Sequence, residues 1–471
     1  MGKKIVEQLD PIFMPGSIAV IGASSVPTKW GYRKLSQPIN SGFNGPIYPV
    51  NPNETEILGL KVYPTVLDIP GEVDLAVIAI PAKVVPKVMQ QCVQKGVKGA
   101  IIISGGFAET NDEGKAIQDE VVTIAKKGNI RFVGPNVTGV WSGSSDLSLS
   151  THQMLTMGNI SFISQSGTFG AHLVSRAVEK GYGLSKFISM GNQADITVTD
   201  YMEYLGEDED TRAIAIYLEG LADGRRFFEV ASEVIREKPI LVHKAGYTAA
   251  GARAAQSHTA ALAGSDEIFD AMCKQVGIIQ VADTYHIFDI AEALVQAPLP
   301  KGNRVAIIGT GGQGVVATDA CTALGLEVPE FDDETKAMLK SYLPDHAPTP
   351  KNPLDWAGGV RTVIEEAEVV LKIAELDYID AIISRPPLTG FDKDSPEEQE
   401  ITGPQSANMM VEIPSKLGKP LIVMRPQSTG EVIQDILRQH HIPSFDSPEE
   451  CARAMRALAS YAETLRRLKE D

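Results

Sequence analysis

The feature that most constrains the fold of this chain is a series of short apolar runs that each end in a turn of small or polar residues. The first run, residues 17–24, reads Ser-Ile-Ala-Val-Ile-Gly-Ala-Ser and is followed by a helical stretch. Short apolar runs without polar alternation are typical of strands buried on both faces, as in a parallel sheet covered by helices. Similar runs in the N-terminal part occupy residues 47–50, 75–81, 99–104 and 131–136. The sequence therefore predicts an α/β fold with doubly wound parallel sheets.

Three such units are predicted along the 471 residues, in line with the roughly 100–200 residues of an ordinary domain. The second unit contributes apolar runs at 159–164, 186–190, 213–218 and 239–242. A proline-containing segment, 297–302, is interpreted as the linker to the third unit. We predict a Rossmann-like domain at 1–140, followed by two flavodoxin-like domains at 150–296 and 301–471.

The third unit looks like a divergent copy of the second. Residues 306–314 match 162–170, residues 352–355 match 192–195, and residues 419–423 match 238–242, in the same order. The second unit follows its last strand with a loop that contains His258, whereas the third has Gln-Ser-Thr-Gly at 427–430 and a predicted helix. Because the copy keeps the scaffold without the histidine, the function is expected on the second unit.

The composition excludes several classes of protein. A formal net charge of −17 argues against broad binding to nucleic acid or to anionic membranes. With 43% apolar residues and no apolar run near the roughly 18 residues of a membrane span, the chain is expected to be cytoplasmic. The cysteines form no CxxC pair, which predicts neither a zinc site nor a disulfide framework and favours a reducing compartment. They are Cys92, Cys273, Cys321 and Cys451.

One histidine, His258, lies in a loop of small residues that follows the apolar run 240–242. Neutral imidazole is nucleophilic near neutral pH and needs only an acceptor on its second nitrogen to fix the tautomer. The glycines and alanines of 246–264 would let a phosphoryl group approach the backbone and let the segment move. The alternative is a structural histidine, but a core histidine would sit between branched apolar residues. We therefore predict that His258 can be phosphorylated.

The turn that closes the first strand, Gly22-Ala23-Ser24, invites comparison with dinucleotide-binding proteins. It departs from their G-x-G-x-x-G pattern, and the second strand ends at Asn51 rather than at an acidic residue that would bind the ribose of NAD. The basic residues beside the turn, Lys29, Arg33 and Lys34, instead suit a ligand with extra phosphates such as coenzyme A. The alternative is an ordinary strand-to-helix turn with solvated lysines.

Three further turns are expected at the same kind of sheet edge. The turn at 164–168, Ser-Gln-Ser-Gly-Thr, precedes a helix whose dipole would favour a bound phosphate, although serine and threonine are also plain N-caps. Gly191 and Asn192 close the next strand, where open α/β folds bind ligands. Glu219 closes another strand, and its carboxylate would accept a hydrogen bond from one imidazole nitrogen of His258. The alternative for Glu219 is a helix cap.

Taken together, these motifs resemble the α subunit of ADP-forming acyl-CoA synthetases, of the acetyl-CoA synthetase type within the superfamily that includes succinyl-CoA synthetase. The resemblance extends over essentially the whole chain and is carried by 19–24, 134–136, 164–167, 190–195, 218–220 and 257–259. It implies an acid–thiol ligase that reversibly converts acyl-CoA, phosphate and ADP into acid, CoA and ATP. Phosphate would attack the thioester, His258 would take the phosphoryl group from the acyl phosphate, and the phosphohistidine would transfer it to ADP.

The resemblance also implies roles for individual residues. His258 would be the catalytic residue that is phosphorylated, and Glu219 its carboxylate partner. The residues implied to lie near coenzyme A or acetyl-CoA are Gly22, Ala23, Ser24, Lys29, Ala79, Ile80, Pro81, Ile103, Ser104 and Gly105. Those implied to bind phosphate are Ser166, Gly167 and Thr168, and those implied to lie near the acyl group are Asn136, Gly191 and Asn192.

The nucleotide is expected on another polypeptide. No glycine-rich stretch, 309–314 included, continues into Lys-Ser or Lys-Thr, so the sequence has no Walker A loop. The resemblance implies an ATP-grasp β subunit that binds ADP or ATP with Mg²⁺, in an α2β2 assembly, and no metal site is predicted on this chain. Two other functions stay open: a CoA-binding regulatory protein, to which His258 and Glu219 would be of no use, and an NAD-dependent oxidoreductase, which Asn51 disfavours.

Overall fold

The computed structural model describes residues 2–150, 155–248, 250, 251, 253, 266–343, 345, 349–356, 362–386, 396–425 and 431–470. The chain divides into two compact units, Met1–Phe288 and Asp289–Asp471. Two large sheets belong to the first unit and one to the second. No helix within these ranges has both the length and the apolar composition of a membrane span.

The N-terminal sheet consists of five parallel strands in the order β2-β1-β5-β6-β7. The strands are β1 Ile18–Ile21, β2 Ile47–Val50, β5 Leu75–Ile78, β6 Gly99–Ile102 and β7 Arg131–Val133, with a hairpin of β3 Glu56–Ile57 and β4 Leu60–Lys61. The helices are α1 Gly2–Phe13, α2 Trp30–Ser41, α3 Val85–Lys95 and α4 Asp112–Lys127. Every residue of β1, β5 and β6 is buried, as expected of strands covered on both faces.

In the part of the chain that the structure describes, the second sheet of the first unit has seven strands in the order β14-β13-β12-β10-β11-β8-β9. Strands β10 to β14 are parallel, and β8 and β9 form an antiparallel edge beside β11. The strands are β8 Val140–Ser142, β9 Leu147–Ser148, β10 Met157–Ser164, β11 Leu184–Ser189, β12 Ala213–Leu218, β13 Ile240–Lys244 and β14 Ile279–Gln280. The helices are α5 Gly167–Glu179, α6 Val198–Glu207, α7 Gly224–Val234 and α8 Asp266–Val276.

Among the described residues of the second unit, five parallel strands form one sheet in the order β16-β15-β17-β18-β19. The strands are β15 Val305–Gly309, β16 Leu354–Asp355, β17 Ala381–Ser384, β18 Leu421–Met424 and β19 Ser444–Phe445. The helices are α10 Gly312–Ala323, α11 Asp333–Lys340, α12 Val363–Glu375, α13 Pro396–Met410, α14 Glu412–Leu417, α15 Glu431–Gln439 and α16 Pro448–Glu470, and α9 Ile287–Gln296 spans the boundary between the units.

All three sheets share one topological feature. The first parallel strand of each lies between the second and the third, so β1 lies between β2 and β5, β10 between β11 and β12, and β15 between β16 and β17. Reversal of the strand order opens a crevice outside the carboxyl ends of the strands, where open α/β folds bind ligands. The predicted α/β class with doubly wound parallel sheets is therefore confirmed.

The structure differs from the sequence prediction in local detail. The strands predicted at 75–81 and 99–104 end at Ile78 and Ile102, so their last predicted residues form turns. The antiparallel edge formed by β8 and β9 was not predicted, because its residues carry no alternation that marks a hairpin. Asn352, matched by sequence to Asn192, precedes its strand and bonds to its own sheet, whereas Asn192 follows β11.

A buried ion pair gives a test of the core of the second unit. Nε and Nη2 of Arg385 donate to the two carboxylate oxygens of Glu366 at 2.7 and 2.8 Å, and both side chains are buried. Removing one partner leaves the other charge buried and unpaired, which costs about 3–5 kcal/mol. We predict that Glu366→Gln lowers the free energy of unfolding by about 3 kcal/mol, measured by guanidinium denaturation with the fluorescence of buried Trp356 as the probe.

The matched control is Glu412→Gln. Glu412 pairs with Lys416 four residues on along α14, and both side chains are exposed. An exposed pair of this kind contributes less than about 1 kcal/mol. Equal losses of stability in the two variants would contradict the account of the core.

Candidate active site

The turn after β1 is held by the strands on both sides of it. Gly22 has a φ of +88°, and its N–H donates to the carbonyl oxygen of Val50 at 2.9 Å. A Cβ atom at Gly22 would lie 2.5 Å from the carbonyl oxygen of Ala79, so only glycine fits here. From the end of β2, the side-chain amide of Asn51 donates to the carbonyl oxygen of Ala23 at 2.7 Å. Asn51 thus holds the turn after β1. It stands at the strand end where NAD-binding proteins carry an acidic residue for the ribose.

Helix α2 begins directly against this turn. A Cβ at Gly31, in the first turn of the helix, would collide with the carbonyl oxygen of Gly22, which explains the glycine. Lys29 precedes the helix with an exposed side chain, and the Ser24 hydroxyl accepts a hydrogen bond from the N–H of Val26 at 3.2 Å. The unpaired N–H groups of a helix start and a free lysine side by side suit the phosphates of a nucleotide-like ligand.

The turns after β5 and β6 lie beside the first turn. The N–H of Ala79 donates to the carbonyl oxygen of Ile21 at 2.9 Å, which joins the β5 turn to β1. The hydroxyl of Ser104 donates to the carbonyl oxygen of Ile80, which joins the β6 turn to the β5 turn. The predicted CoA-binding residues 22–24, 79–81 and 103–105 therefore lie on neighbouring turns of one sheet edge.

The next turn, 134–136, joins the two sheets of the first unit. The N–H of Asn136 donates to the carbonyl oxygen of Ser104 at 2.9 Å. From the second sheet, the N–H of Asn192 donates to the carbonyl oxygen of Pro135 at 2.9 Å. Gly191 has a φ of +58°, and a side chain on it would collide with that same oxygen. The three residues predicted to lie near the acyl group, Asn136, Gly191 and Asn192, are therefore in contact with one another.

Glu109 takes part in this junction, although the sequence did not single it out. Its carboxylate accepts hydrogen bonds from the amide of Asn192 at 2.5 Å and from the N–H of Gly106 at 2.6 Å. Burial would raise the pKa of Glu109, but these bonds, with that from the N–H of Phe107, hold the pKa below its usual value. The Asn192 amide also donates to the side chain of Gln118 at 3.0 Å, so its orientation is fixed.

The predicted phosphate turn begins helix α5. The hydroxyl of Ser166 accepts a hydrogen bond from the N–H of Phe169 at 3.3 Å, which is an N-cap. Gly167 lies against the 134–142 segment, since a Cβ on it would lie 2.8 Å from the methyl group of Thr138 and 2.9 Å from the hydroxyl of Ser189. Thr168 is exposed. The hydroxyl of Ser166 is therefore engaged as a cap by the N–H of Phe169. The N–H groups of Gly167 and Thr168, which precede Phe169 in the first turn, are of the kind that bind an anion at a helix start.

Glu219 is held directly against the phosphate turn. The buried side chain of Gln165 accepts hydrogen bonds from the N–H of Glu219 at 2.8 Å and from the N–H of Gly220 at 3.1 Å. Helix α7 is capped by Asp223, whose carboxylate accepts from the N–H of Arg226 at 2.9 Å. Because Asp223 is the cap of the helix, the capping alternative for Glu219 loses its support.

His258 lies outside the described residues, as does most of the loop around it. The chain enters that segment next to Glu219, since the N–H of Ala245 donates to the carbonyl oxygen of Leu218 at 2.7 Å. On the far side, Asp266 begins α8 and forms an ion pair with Lys244, the last residue of β13. The segment that contains His258 thus starts and returns at the sheet edge where Glu219 lies.

Lys34, one of the basic residues that the sequence offered for a ligand with phosphates, is buried and bonded within the protein instead. The Lys34 ammonium on α2 donates to Gln37 Oε1 at 3.0 Å, to the carbonyl oxygen of Thr138 at 2.7 Å and to that of Leu149. Burial, with a smaller effect of the nearby Arg33 charge, lowers the pKa of Lys34 to about 7. The lysine links the helix at the first turn to the segment that backs the phosphate turn. In the sequence it looks like one more basic residue beside the first turn.

Comparisons with known proteins assign both sheets of the first unit. A CoA binding domain model matches residues 16–142, and a model described as a succinyl-CoA ligase like flavodoxin domain matches residues 157–294. The first match covers the turns at 22–24, 79–81 and 103–105. The second covers the turns at 164–168 and 191–192 and the segment that contains His258.

Whole-chain relatives point to one family. The chain is 39% identical over 461 residues to the acetate–CoA ligase (ADP-forming) II subunit alpha of Pyrococcus furiosus, with 97% of this chain and 98% of that protein covered. It is 36% identical over 469 residues to the acetate–CoA ligase (ADP-forming) I of Archaeoglobus fulgidus, with 98% of this chain but 65% of that protein covered. The chain belongs to the family of the α subunits of ADP-forming acetate–CoA ligases, which confirms the resemblance seen in its motifs.

A solved structure agrees with this assignment. The structure of the dinucleotide forming acetyl-coenzyme A synthetase 1 of Ca. Korarchaeum cryptofilum, in complex with phosphate and ADP, has a TM-score of 0.85 and 33% sequence identity. The match covers 98% of this chain and 98% of that chain. The predicted order of a Rossmann-like CoA-binding domain followed by a flavodoxin-like domain is therefore confirmed, and the chain is a member of a ligase family.

Lys34 gives a test of the link between the first turn and the phosphate turn. Its pKa is about 7 in the folded chain and about 10.5 when exposed, so between these values the unfolded chain holds a proton that the folded chain lacks. The free energy of unfolding should therefore rise with pH above about pH 7, by up to about 1.4 kcal/mol per pH unit from this one group. We predict that Lys34→Met removes this part of the slope, measured by guanidinium denaturation between about pH 7 and pH 9.5.

The control is Lys83→Met. Lys83 is exposed and its ion pair with Glu113 raises its pKa, so it stays protonated in both states over that pH range. Its substitution should leave the slope unchanged. If Lys34→Met also keeps the full slope of the wild type, the assigned pKa of Lys34 is wrong.

Proposed function

We propose that this chain, with a partner subunit, converts acetyl-CoA, phosphate and ADP reversibly into acetate, CoA and ATP through phosphorylated His258. The observation that carries the proposal is a series of contacts that runs from Gly22 through Ile80 and Ser104 to Asn136. Thr138, two residues further on, packs against Gly167 of the phosphate turn, and that turn holds Glu219. A CoA molecule laid along the first three turns would bring its thioester to Asn136, beside a bound phosphate. The family relatives named as acetate–CoA ligases support acetyl-CoA as the substrate.

In the first step, an oxygen of phosphate attacks the carbonyl carbon of the thioester. The carbon–sulfur bond breaks, the thiolate of CoA leaves and takes up a proton, and acetyl phosphate forms. We assign the binding of phosphate to Ser166, Gly167 and Thr168, where N–H groups of the first turn of α5 would hold its oxygens. The side-chain amide of Asn136 would donate to the acyl oxygen. Asn192 would hold Asn136 in place, because its own two amide hydrogens are taken by Glu109 and Gln118 while its oxygen accepts from Asn136.

In the second step, one nitrogen of His258 attacks the phosphorus of acetyl phosphate, and acetate leaves. Glu219 accepts a hydrogen bond from the other ring nitrogen, so it stabilises the positive charge that the phosphorylated ring carries. A third step transfers the phosphoryl group to the β-phosphate of ADP and frees His258. The direction of the whole sequence depends on the concentrations of its substrates.

We assign the nucleotide to a partner chain. The name of the Pyrococcus furiosus relative, a subunit alpha, supports a separate partner. The Archaeoglobus fulgidus relative supports the same view, because about a third of its length has no counterpart in this chain. We propose an ATP-grasp β subunit that binds ADP or ATP with Mg²⁺, an α2β2 assembly, and activity in the cytoplasm, where the four free cysteines of this chain stay reduced.

Transfer of labelled phosphate to the chain tests this proposal. We predict that incubation with acetyl-CoA and labelled phosphate places an acid-labile label on the peptide that contains His258. His258→Ala should abolish the label, and Glu219→Ala should reduce its rate of appearance about tenfold or more, because the charged ring loses its carboxylate partner. The measurement is peptide mapping after an alkaline quench, with and without the partner subunit.

The matched control is His440→Ala, which removes an exposed histidine of the second unit. This variant should take up label like the wild type. If CoA binds but the wild type takes up no label with the partner present, the chain is instead a CoA-binding regulatory protein. Label on another residue would refute the assignment of His258.

A further inference from the structure

The side chain of Glu219 has a fixed hydrogen-bond donor in Tyr217. Tyr217 lies on β12, two residues before Glu219, and its hydroxyl is hydrogen-bonded to the Glu219 carboxylate. Burial, then the negative charge of Glu219 and the bond to it, raises the pKa of Tyr217 to about 12. The hydroxyl therefore stays protonated and donates to Glu219 over the physiological range of pH.

The ring of Tyr217 is held between two other rings. Phe169 packs edge-on against it with ring centroids 5.0 Å apart, and His243 stacks parallel to it at 5.8 Å with an interplanar angle of 5°. His243 is itself fixed, because its Nδ1 is hydrogen-bonded to the carbonyl oxygen of Val281 at 2.8 Å. These contacts set the plane of the Tyr217 ring and so the position of its hydroxyl.

One of these rings, that of Phe169, directly follows the phosphate turn. The N–H of Phe169 donates to the hydroxyl of Ser166, so the residue that packs on Tyr217 also closes the N-cap of α5. Gln165, from the same turn, fixes the backbone of Glu219. The main chain and the carboxylate of Glu219 are thus held by two different contacts, and both lead back to the turn where phosphate is proposed to bind.

We propose that Tyr217 is a positioning residue for the phosphorylation of His258: its hydroxyl holds one oxygen of Glu219 so that the carboxylate stays turned toward the imidazole. This inference rests on the proposed function. A carboxylate can accept several hydrogen bonds at once, so a bond from Tyr217 leaves capacity for one from the ring N–H of His258. Outer residues that orient a functional group in this way typically affect activity 10–100-fold.

Tyr217→Phe tests the inference, because it removes the hydroxyl and keeps the ring and both of its ring contacts. In the full chain with its partner subunit, we expect the rate of label transfer to His258 to fall about tenfold. The dissociation constant for CoA and the KM for phosphate should stay within about twofold, because Tyr217 would touch neither ligand. If the rate fell and the dissociation constant for CoA and the KM for phosphate both rose with it, the substitution would have disturbed the site as a whole. That result would overturn the inference.

A double-mutant cycle separates positioning from other effects. In a Glu219→Gln background, Tyr217→Phe should cost little more, because it acts through the carboxylate that is already gone. If the decrease in rate of the double variant equalled the product of the decreases of the two single variants, Tyr217 would act independently of Glu219. That result would overturn the inference.

The control is Tyr285→Phe, whose hydroxyl lies 3.4 Å from Nε2 of His172 in the same group of aromatic side chains. It should transfer label at the wild-type rate, and a tenfold loss there would mean that any hydroxyl in this group matters, against the inference. If the wild type labels His258 and Tyr217→Phe labels it equally fast, the inference fails and the proposed function stands. If the wild type does not label His258, both fail.

Discussion

The contact between the turns at 134–136 and 191–192 is the constraint on which the proposed site depends. The N–H of Asn192 donates to the carbonyl oxygen of Pro135, and that of Ala194 to the carbonyl oxygen of Gly134. Any side chain at Gly191 would block this approach. This contact sets the position of the turns at the end of the first sheet relative to the phosphate turn of the second sheet, together with the bonds of Lys34 to Thr138 and Leu149. Because the bonds are made by the backbone, the junction tolerates changes in the side chains around it but not in Gly191.

Each acidic side chain of the site has a fixed donor. Glu109 accepts from the amide of Asn192 and from backbone N–H groups, and Glu219 accepts from the hydroxyl of Tyr217. In a chain with a net charge of −17, these bonds turn the carboxylates toward protein donors. The first turn of α5 remains available to an anion. The arrangement keeps a carboxylate for the imidazole and a separate place for the phosphate that is transferred.

The parts of the site that the sequence predicted are those that depend on neighbours along the chain. The turns at 22–24, 164–168 and 218–220 each follow an apolar run directly. The α/β class and the position of these turns at the strand ends could therefore be predicted from the sequence. The parts that it missed depend on partners far away in the sequence. Lys34 bonds to Leu149 and Glu109 to Asn192, and no local pattern distinguishes these two from exposed residues of the same type.

The match between 192–195 and 352–355 shows how a local pattern can mislead about placement. Both stretches contain asparagine and aspartate three residues apart, yet Asn192 lies at the junction of two sheets and Asn352 bonds within its own sheet. Tyr217 was missed for a different reason. Within β12 it reads as one more apolar strand residue, and only the structure shows that its hydroxyl meets Glu219.

A crystal structure of the chain with CoA and phosphate would show directly whether these turns form the site. We expect phosphate on N–H groups of the first turn of α5, and CoA along the turns at 22–24, 79–81 and 103–105. The sulfur of CoA should lie beside Asn136. Phosphate bound away from α5, or CoA bound to the unit Asp289–Asp471, would contradict the central claim that these turns form one active site.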